Sequence, residues 1–301
     1  MINKISLLSI LTTCILTLLM ASSGCSDGAK DTSTISAADR SLAMWEVQNT
    51  MSMHAYYHAA GLHLEELADI WVSETGPHAK TAKFSSPNWV MNGIATVKRA
   101  YGQANQDNKV RELEAISKIY PEVKNIPENL GAGHEFAMHT NTTPIIEIAG
   151  DGKTAKGIWY SPGIGLSTHI EGNNVSAGGT FFWEKYGADF VKEDGEWKIW
   201  HCQMFYDFTP SFPESMTRNL IPGGSQGGPP AGGQGPPPAD DQGDVSSQGA
   251  IESGETMDTQ VLPEGFTDNT YIYESFSPTR VHEIMPKFPE PYYTFSETFS
   301  Y

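Results

Sequence analysis

Histidine moves protons near neutral pH more readily than any other unperturbed side chain, and this chain concentrates it. Eight of its nine histidines lie between His54 and His201. His54 and His58 are four residues apart and would share one face of a helix. Two imidazoles at that spacing can hold zinc. No HExxH pattern and no cysteine pair accompanies them, and the acids that could complete a site are scattered, so no metal is predicted. His201 has a different setting. It shares one face of a predicted strand with Trp197, Ile199, Gln203 and Phe205, while Lys198, Trp200, Cys202, Met204 and Tyr206 take the other. Aromatic and apolar groups with one imidazole and one amide suit the wall of a small-molecule pocket. They suit equally a core strand whose His201 and Gln203 are hydrogen-bonded by neighbours, as most buried polar groups are.

The elements that must position these residues fall into two blocks. Residues 181–208 read as two strands joined at Asp194-Gly195, a strong hairpin signal because both central residues of a type I′ turn need positive φ. Residues 134–148 and 154–161 form an earlier pair across Asp151-Gly152, and 174–192 and 196–208 the later one. The glycine-rich stretch 161–179 lacks the strand–turn–helix setting of a phosphate loop and is expected to be a lid or a hairpin end. Ahead of the strands come three helical patterns. The first starts at Ser36 or Ser41 and runs to Ala60. The second covers 63–72, with Leu64, Leu67, Ala68 and Trp71 inward. The third covers 93–120, with a break expected near Gln106-Asp107-Asn108. Residues 79–92 are turn-like with room for a short strand. Helices first and an antiparallel sheet afterwards is the α+β order. A strongly curved antiparallel sheet wrapped around the N-terminal helices would leave a conical pocket between them.

Three stretches carry a resemblance. MHTNTTPIIEIAGDGKTAKGIWY (138–160), YGADFVKEDGEWKI (186–199) and AYYHAAGLHLEELADIWV (55–72) resemble the SnoaL-like domain of the nuclear-transport-factor-2-like superfamily, over about residues 38–212. The resemblance implies a cone-shaped α+β domain. It also implies cofactor-independent lyase, dehydratase or isomerase chemistry on a small aromatic or polycyclic compound. His139 falls where that family carries its strand histidine, four residues before Thr143-Pro144. There an imidazole could take a proton from carbon or return one to a leaving oxygen. The family's helix Asp would fall at Gly61, and no acid lies between Met51 and Leu64, so the Asp–His dyad is not carried over. Tyr57 and His58 are the candidates to assist His139, and Tyr56 to bind ligand. Packing of consecutive aromatics in the core is equally open. By the same resemblance Trp159, Trp183 and Tyr186 line the cavity; His201, from its strand face, is a further candidate ligand contact. A non-catalytic ligand-binding or scaffold lipoprotein is the other reading, and the missing acid favours it.

The totals set the surroundings. The chain has 301 residues and a net charge of −17, from 36 acidic and 19 basic side chains, which argues against nucleic acid as a partner. Residues 1–24 have the charged start, apolar middle and small-residue end of an export signal. Cys25 follows directly, where a bacterial lipoprotein is lipidated. A membrane contact is therefore expected only through a lipid on Cys25, and the location is expected to be the cell envelope. Cys14 lies in the leader, and Cys202 reads as a small buried residue. Residues 25–37 are a tether, 38–216 the folded domain and 217–260 a Gly- and Pro-rich linker. Residues 261–301 form an aromatic arm, with nine aromatics in its last 31 residues. Leaving those rings in water would be costly, so the arm is expected to dock on its own subunit or across a homodimer.

Overall fold

The computed structural model describes residues 34–212, 262–270, 273 and 284–301. The elements below all belong to one unit, Ile35–Tyr301. The leader with Cys25, and the linker, lie outside the described residues.

Ser36 caps the first helix, its hydroxyl accepting from the Asp39 amide. Helix α1 (Ala37–Ala59) buries Ala43, Val47, Thr50, Met51 and His54 at three- and four-residue steps. Gly61, at φ 64, turns the chain into helix α2. This helix (His63–Asp69) is shorter than the sequence predicts and sits on a different face. His63, Glu66, Leu67 and Ile70 are buried, and Ala68 is exposed. Trp71 leaves the helix to bridge Ile199. Two short strands follow, β1 (Lys83–Ser85) and β2 (Trp89–Asn92), where one was allowed for. Helix α3 (Ile94–Val97) passes through a π-helical stretch, Lys98–Gln103, into α4 (Ala104–Ile119). The break expected at Gln106-Asp107-Asn108 is absent. The irregularity lies one turn earlier and carries the buried Tyr101.

The remaining strands are β3 (Phe136–His139), β4 (Thr142–Ile148), β5 (Thr154–Glu171), β6 (Asn174–Glu193), β7 (Glu196–Phe208) and β8 (Phe266–Asp268). They pair in the order β3-β5-β6-β7-β1-β2-β8, with β4 also on β5. The α+β expectation holds, but the sheet is mixed, because β1 pairs with β7 in parallel. The single strand expected over 134–148 is two, broken at Thr140-Asn141, and Thr143, at φ 54, sits at a register shift early in β4. The glycine-rich 161–179 is a hairpin end, the second of the two expectations, and not a lid. Strands β5 and β6 stay paired from Thr154↔Val191 to Glu171↔Asn174, and turn at Gly172, φ 62.

A bulge in β7 decides what faces the helices. Phe190 pairs with Ile199 but Asp189 pairs with His201, so Trp200 is an extra residue. Trp197 and Ile199 point into the core; beyond the bulge, Cys202 and Met204 do. His201, Gln203 and Phe205 are thereby turned to the outer face, and the single predicted face Trp197–Phe205 does not exist. The inner face is Gly157, Trp159, Ser161 and Gly163 on β5, paired in register with Ala188, Tyr186, Glu184 and Phe182 on β6. Helix α1 lies across it, with Val47 and Met51 wholly buried. Full burial of such a side chain contributes about 1.5–3 kcal/mol.

Gly163 shows how tightly β3 is held. It pairs with His139, and a Cβ there would sit 2.6 Å from both the Met138 carbonyl oxygen and the His139 Cβ. Gly163→Ala should overpack this contact by about 1–3 kcal/mol. Thermal denaturation should then show a melting temperature lower by roughly 3–10 °C in a domain of this size. An unchanged value would mean that β3 is free to move.

Candidate active site

One cavity lies between the inner sheet face, α1, α2 and the π-helical stretch. Its volume is about 70 Å³. Each water needs ~10–15 Å³ of such space, which is room for on the order of five waters, or one small ring. Phe84, Trp89, Met91, Phe182 and Met204 supply the apolar wall, and His54, His58, His63, Tyr101, Glu184 and Tyr186 the polar one.

His54 is the best-supported side chain on that wall. Its Nδ1 lies 2.8 Å from Glu66 Oε1. Glu66 is fully buried and accepts two more hydrogen bonds, from Trp71 Nε1 at 3.0 Å and from the Tyr101 hydroxyl at 2.7 Å. Burial alone would raise the Glu66 pKa. His54 and the bonds from His54 and Trp71 outweigh it and leave the carboxyl below its ordinary value. A carboxylate fixed by three donors accepts the Nδ1–H of His54, so Nε2 is the ring nitrogen left for the cavity. That Nε2 is buried and has no hydrogen-bond partner among the described residues, as is true of His63 Nδ1 and Trp89 Nε1 around the same cavity. Unpaired buried polar atoms are rare, and three around one cavity are polar positions that water or a ligand's polar groups can satisfy.

His58, one turn along α1, also lines the cavity. Its Nδ1 lies 2.7 Å from His139 Nε2, and His139 Nδ1 lies 2.9 Å from Ser161 Oγ. Burial first, then His63 and His54, holds the His58 pKa down to about 3. Burial, then His58 and His54, pushes His139 well below the ordinary value. Burial, opposed by Glu66, takes His63 to about 4. These three rings are neutral at neutral pH. Glu184 goes the other way. Burial raises it to about 7, although hydrogen bonds from Tyr186 and Ser161 pull it down.

The sequence candidates separate accordingly. His58 and Tyr186 stand on the cavity wall. His139 is one layer back, buried behind His58, with its ring stacked on Tyr186 at 5.8 Å between centroids. Tyr57 is not at the cavity. Its hydroxyl donates to Asp69 near the surface, and this bond first of all raises its pKa. On the helical side the cavity is instead reached by Tyr101, from the π-helical stretch. Tyr56 is 80% exposed. Trp159 is buried on the inner face but packs on Phe190 and donates to Gln48, away from the wall. Trp183 stacks on Phe208 and is 43% exposed. His201 is turned outward by the bulge and bonds Asp189, the Thr81 carbonyl and Ser300. Among the described residues no group of three or more His, Cys, Asp or Glu is set to hold a metal ion.

The acid missing from α1 is thus supplied by Glu66 on α2. Reading the buried stripe of α2 as His63, Glu66, Leu67, Ile70 rather than Leu64, Leu67, Ala68, Trp71 would have found it. Glu184 carried a signal too: an acid among Phe182, Tyr186 and Ala188 on the apolar face of an alternating strand.

No curated protein matches the chain. Among solved structures, a protein provisionally assigned as a scytalone dehydratase from Novosphingobium aromaticivorans is 17% identical, with 59% of this chain and 93% of that one covered and a TM-score of 0.41. A hexachlorocyclohexane dehydrochlorinase, LinA-type3 from Novosphingobium barchaimii, is 15% identical over 59% and 94%, with a TM-score of 0.37. An NTF2-like protein with a cystatin-like fold from Novosphingobium aromaticivorans is 11% identical over 59% and 90%, with a TM-score of 0.34. Similarities of this size say nothing about activity. The model of the SnoaL-like domain matches residues 39–203, more than half of the chain, and the chain belongs to that family.

Proposed function

We propose that this chain is a cofactor-independent lyase, dehydratase or isomerase that moves a proton on a small, mostly apolar, single-ring compound. The observation that carries this reading is His54 Nε2, buried, unpartnered and backed by the Glu66 carboxylate. A ring so held is prepared to accept a proton from carbon. His58, on the same helix face, is the second proton-transfer group, and His139 orients it. The cavity volume favours one ring over a polycycle. The leader and Cys25 support export and attachment to the cell envelope through a lipid.

A screen of single-ring phenols and cyclic ketones against the full chain tests the reading. A compound held at a hundred times its Kd should stabilise by about 2.7 kcal/mol, a shift of roughly 5–10 °C. His54→Gln should keep that shift while turnover of the compound falls by ~10²-fold or more. Binding without turnover by the unaltered protein would leave a binding lipoprotein in place of an enzyme.

A further inference from the structure

His58 and His139 pose a difficulty that their surroundings resolve. Both rings are buried among other imidazoles, where a positive charge is strongly opposed. A base that had to become imidazolium here would be weak. The hydrogen bonds continue past them, however. His58 Nδ1 meets His139 Nε2 at 2.7 Å, His139 Nδ1 meets Ser161 Oγ at 2.9 Å, and Ser161 Oγ donates to Glu184 Oε1 at 3.3 Å. Ser161 is fully buried, and Glu184 is 4% exposed. Both ends of this series, His58 and Glu184, line the same cavity.

We propose that Glu184, Ser161, His139 and His58 form one proton relay, in which Glu184 stores the proton and His58 exchanges it with the ligand. The proposal rests on the acid–base reading of the cavity and names a further group for it. With Glu184 ionised, Ser161 donates to the carboxylate, His139 donates from Nδ1 to Ser161, and His58 donates from Nδ1 to His139. His58 Nε2 then carries a lone pair. When Nε2 takes a proton from a ligand C–H, the electron pair of that bond passes into an adjacent carbonyl as an enolate. The His58 Nδ1 proton moves to His139 Nε2, the His139 Nδ1 proton to Ser161 Oγ, and the Ser161 proton to Glu184. One proton enters, one crosses each hydrogen bond, and neither ring is charged at the end. The reverse sequence returns the proton to another carbon or to a leaving hydroxyl. Every hydrogen bond is made in both states, which is what a two-state relay requires.

The store must titrate in a useful range. Burial first, then the opposing bonds from Tyr186 and Ser161, sets Glu184 at about 7. The groups facing it are Tyr186 on its own strand, Ser161 on β5, Tyr206 opposite on β7, and His54 on α1. Those facing His58 are His54, His63, Tyr101 and His139, with Glu66 and His134 acting on its charge.

The relay can be tested without a substrate. Nitrogen-15 NMR of the histidine side chains reports which ring nitrogen bears the proton. In the full chain between pH 5.5 and 8.5, His58 and His139 should exchange tautomers together, with a midpoint near 7. Ser161→Ala, which removes one oxygen, should abolish the exchange. Glu184→Gln should hold each ring in one tautomer throughout, and serves alone if the alanine variant does not fold. Tautomers that stay constant in the unaltered protein, or an exchange that survives in either variant, would overturn the relay. If the exchange occurs but no ligand is turned over, the relay stands and the enzyme reading falls. If a ligand is turned over while the tautomers stay fixed, the enzyme reading stands and the relay falls.

Discussion

Acidification should destabilise this domain through its interior, and Glu184→Gln should expose how much. His58 and His63 have folded-state values of about 3 and 4, against 6.5 for an ordinary histidine. Depressed values mean that protons bind the unfolded chain better, so stability is full above pH 6.5 and is lost as the pH falls toward 4 and 3. At pH 4.5 each ring removes on the order of 2–3 kcal/mol, and the two together roughly 5. His139 is shifted in the same direction and adds to the loss. Glu184 opposes them. Its folded value of about 7 lies above the ordinary 4.5, so its stabilising contribution is complete below pH 4.5 and is lost as the pH rises through 7. Falling from pH 8 to 4.5 therefore restores about 3 kcal/mol through this one group. Denaturant unfolding at pH 8, 6.5 and 4.5 separates the terms. Glu184→Gln should be more stable than the unaltered protein by about 3 kcal/mol at pH 8, and the difference should vanish by pH 4.5. The variant should also be the more acid-sensitive of the two. A stability difference that does not change with pH would mean that Glu184 does not ionise inside the fold. Typical totals are about 5–15 kcal/mol, so these terms are large enough to decide whether the domain is folded at pH 4.

What the sequence made legible was whatever a local rule controls. The Ser36 cap and the Asp194-Gly195 turn follow from side-chain chemistry within a few residues, whereas of the apolar stripe expected on α1 (Leu42, Trp45, Val47, Met51, Ala55) only Val47 and Met51 are buried and Leu42 and Trp45 face solvent. Asp194 and Gly195 indeed take φ 50 and 88. The β7 faces were not legible beyond Ile199, because one inserted residue reverses every side chain after it and nothing in KIWHCQ marks the insertion. That single event moved His201 from the predicted pocket wall to the opposite side of the sheet. On α2, the rule of apolar stripes favoured Leu64 and Trp71 over His63 and Glu66. A buried acid becomes tolerable only when three donors from α1, the Trp71 segment and the π-helical stretch meet it. Tyr101 was hidden by the same logic: its inward turn depends on a π-helical register that helix propensity does not describe. Of the candidate site, the histidine concentration at 54, 58 and 139 could be read directly. The carboxylates that work with it are long-range consequences of the fold.

On the outer face the largest loss is expected from Lys156→Met. Lys156 and Asp189 are cross-strand partners on β5 and β6, wholly buried, with Nζ 2.5 Å from Oδ1. The last residues of the chain seal them. The Phe295, Phe299 and Tyr301 rings stand 4.7, 4.5 and 5.0 Å from Nζ. Asp189 Oδ2 is 2.8 Å from His201 Nδ1 and accepts from the Tyr301 amide at 3.0 Å and the Ser300 hydroxyl at 3.2 Å. Burial lowers the Lys156 pKa and Asp189 partly restores it, the balance of a charge kept only by its partner. Forming such a pair gains little net energy, because two ions must first leave water. Removing one member strands the other in the interior and costs about 3–5 kcal/mol. Lys156→Met should therefore lose that amount in denaturant unfolding. Lys156→Met combined with Asp189→Leu should recover most of it, because no charge is then left buried. The double variant still lacks the acceptor for Ser300 and Tyr301, so residues 284–301 should become sensitive to limited proteolysis while the sheet keeps its stability. A single-variant loss below ~1 kcal/mol would show the pair to be hydrated. The recovery in the double variant is the decisive measurement, since it distinguishes a stranded charge from lost packing under the aromatic rings.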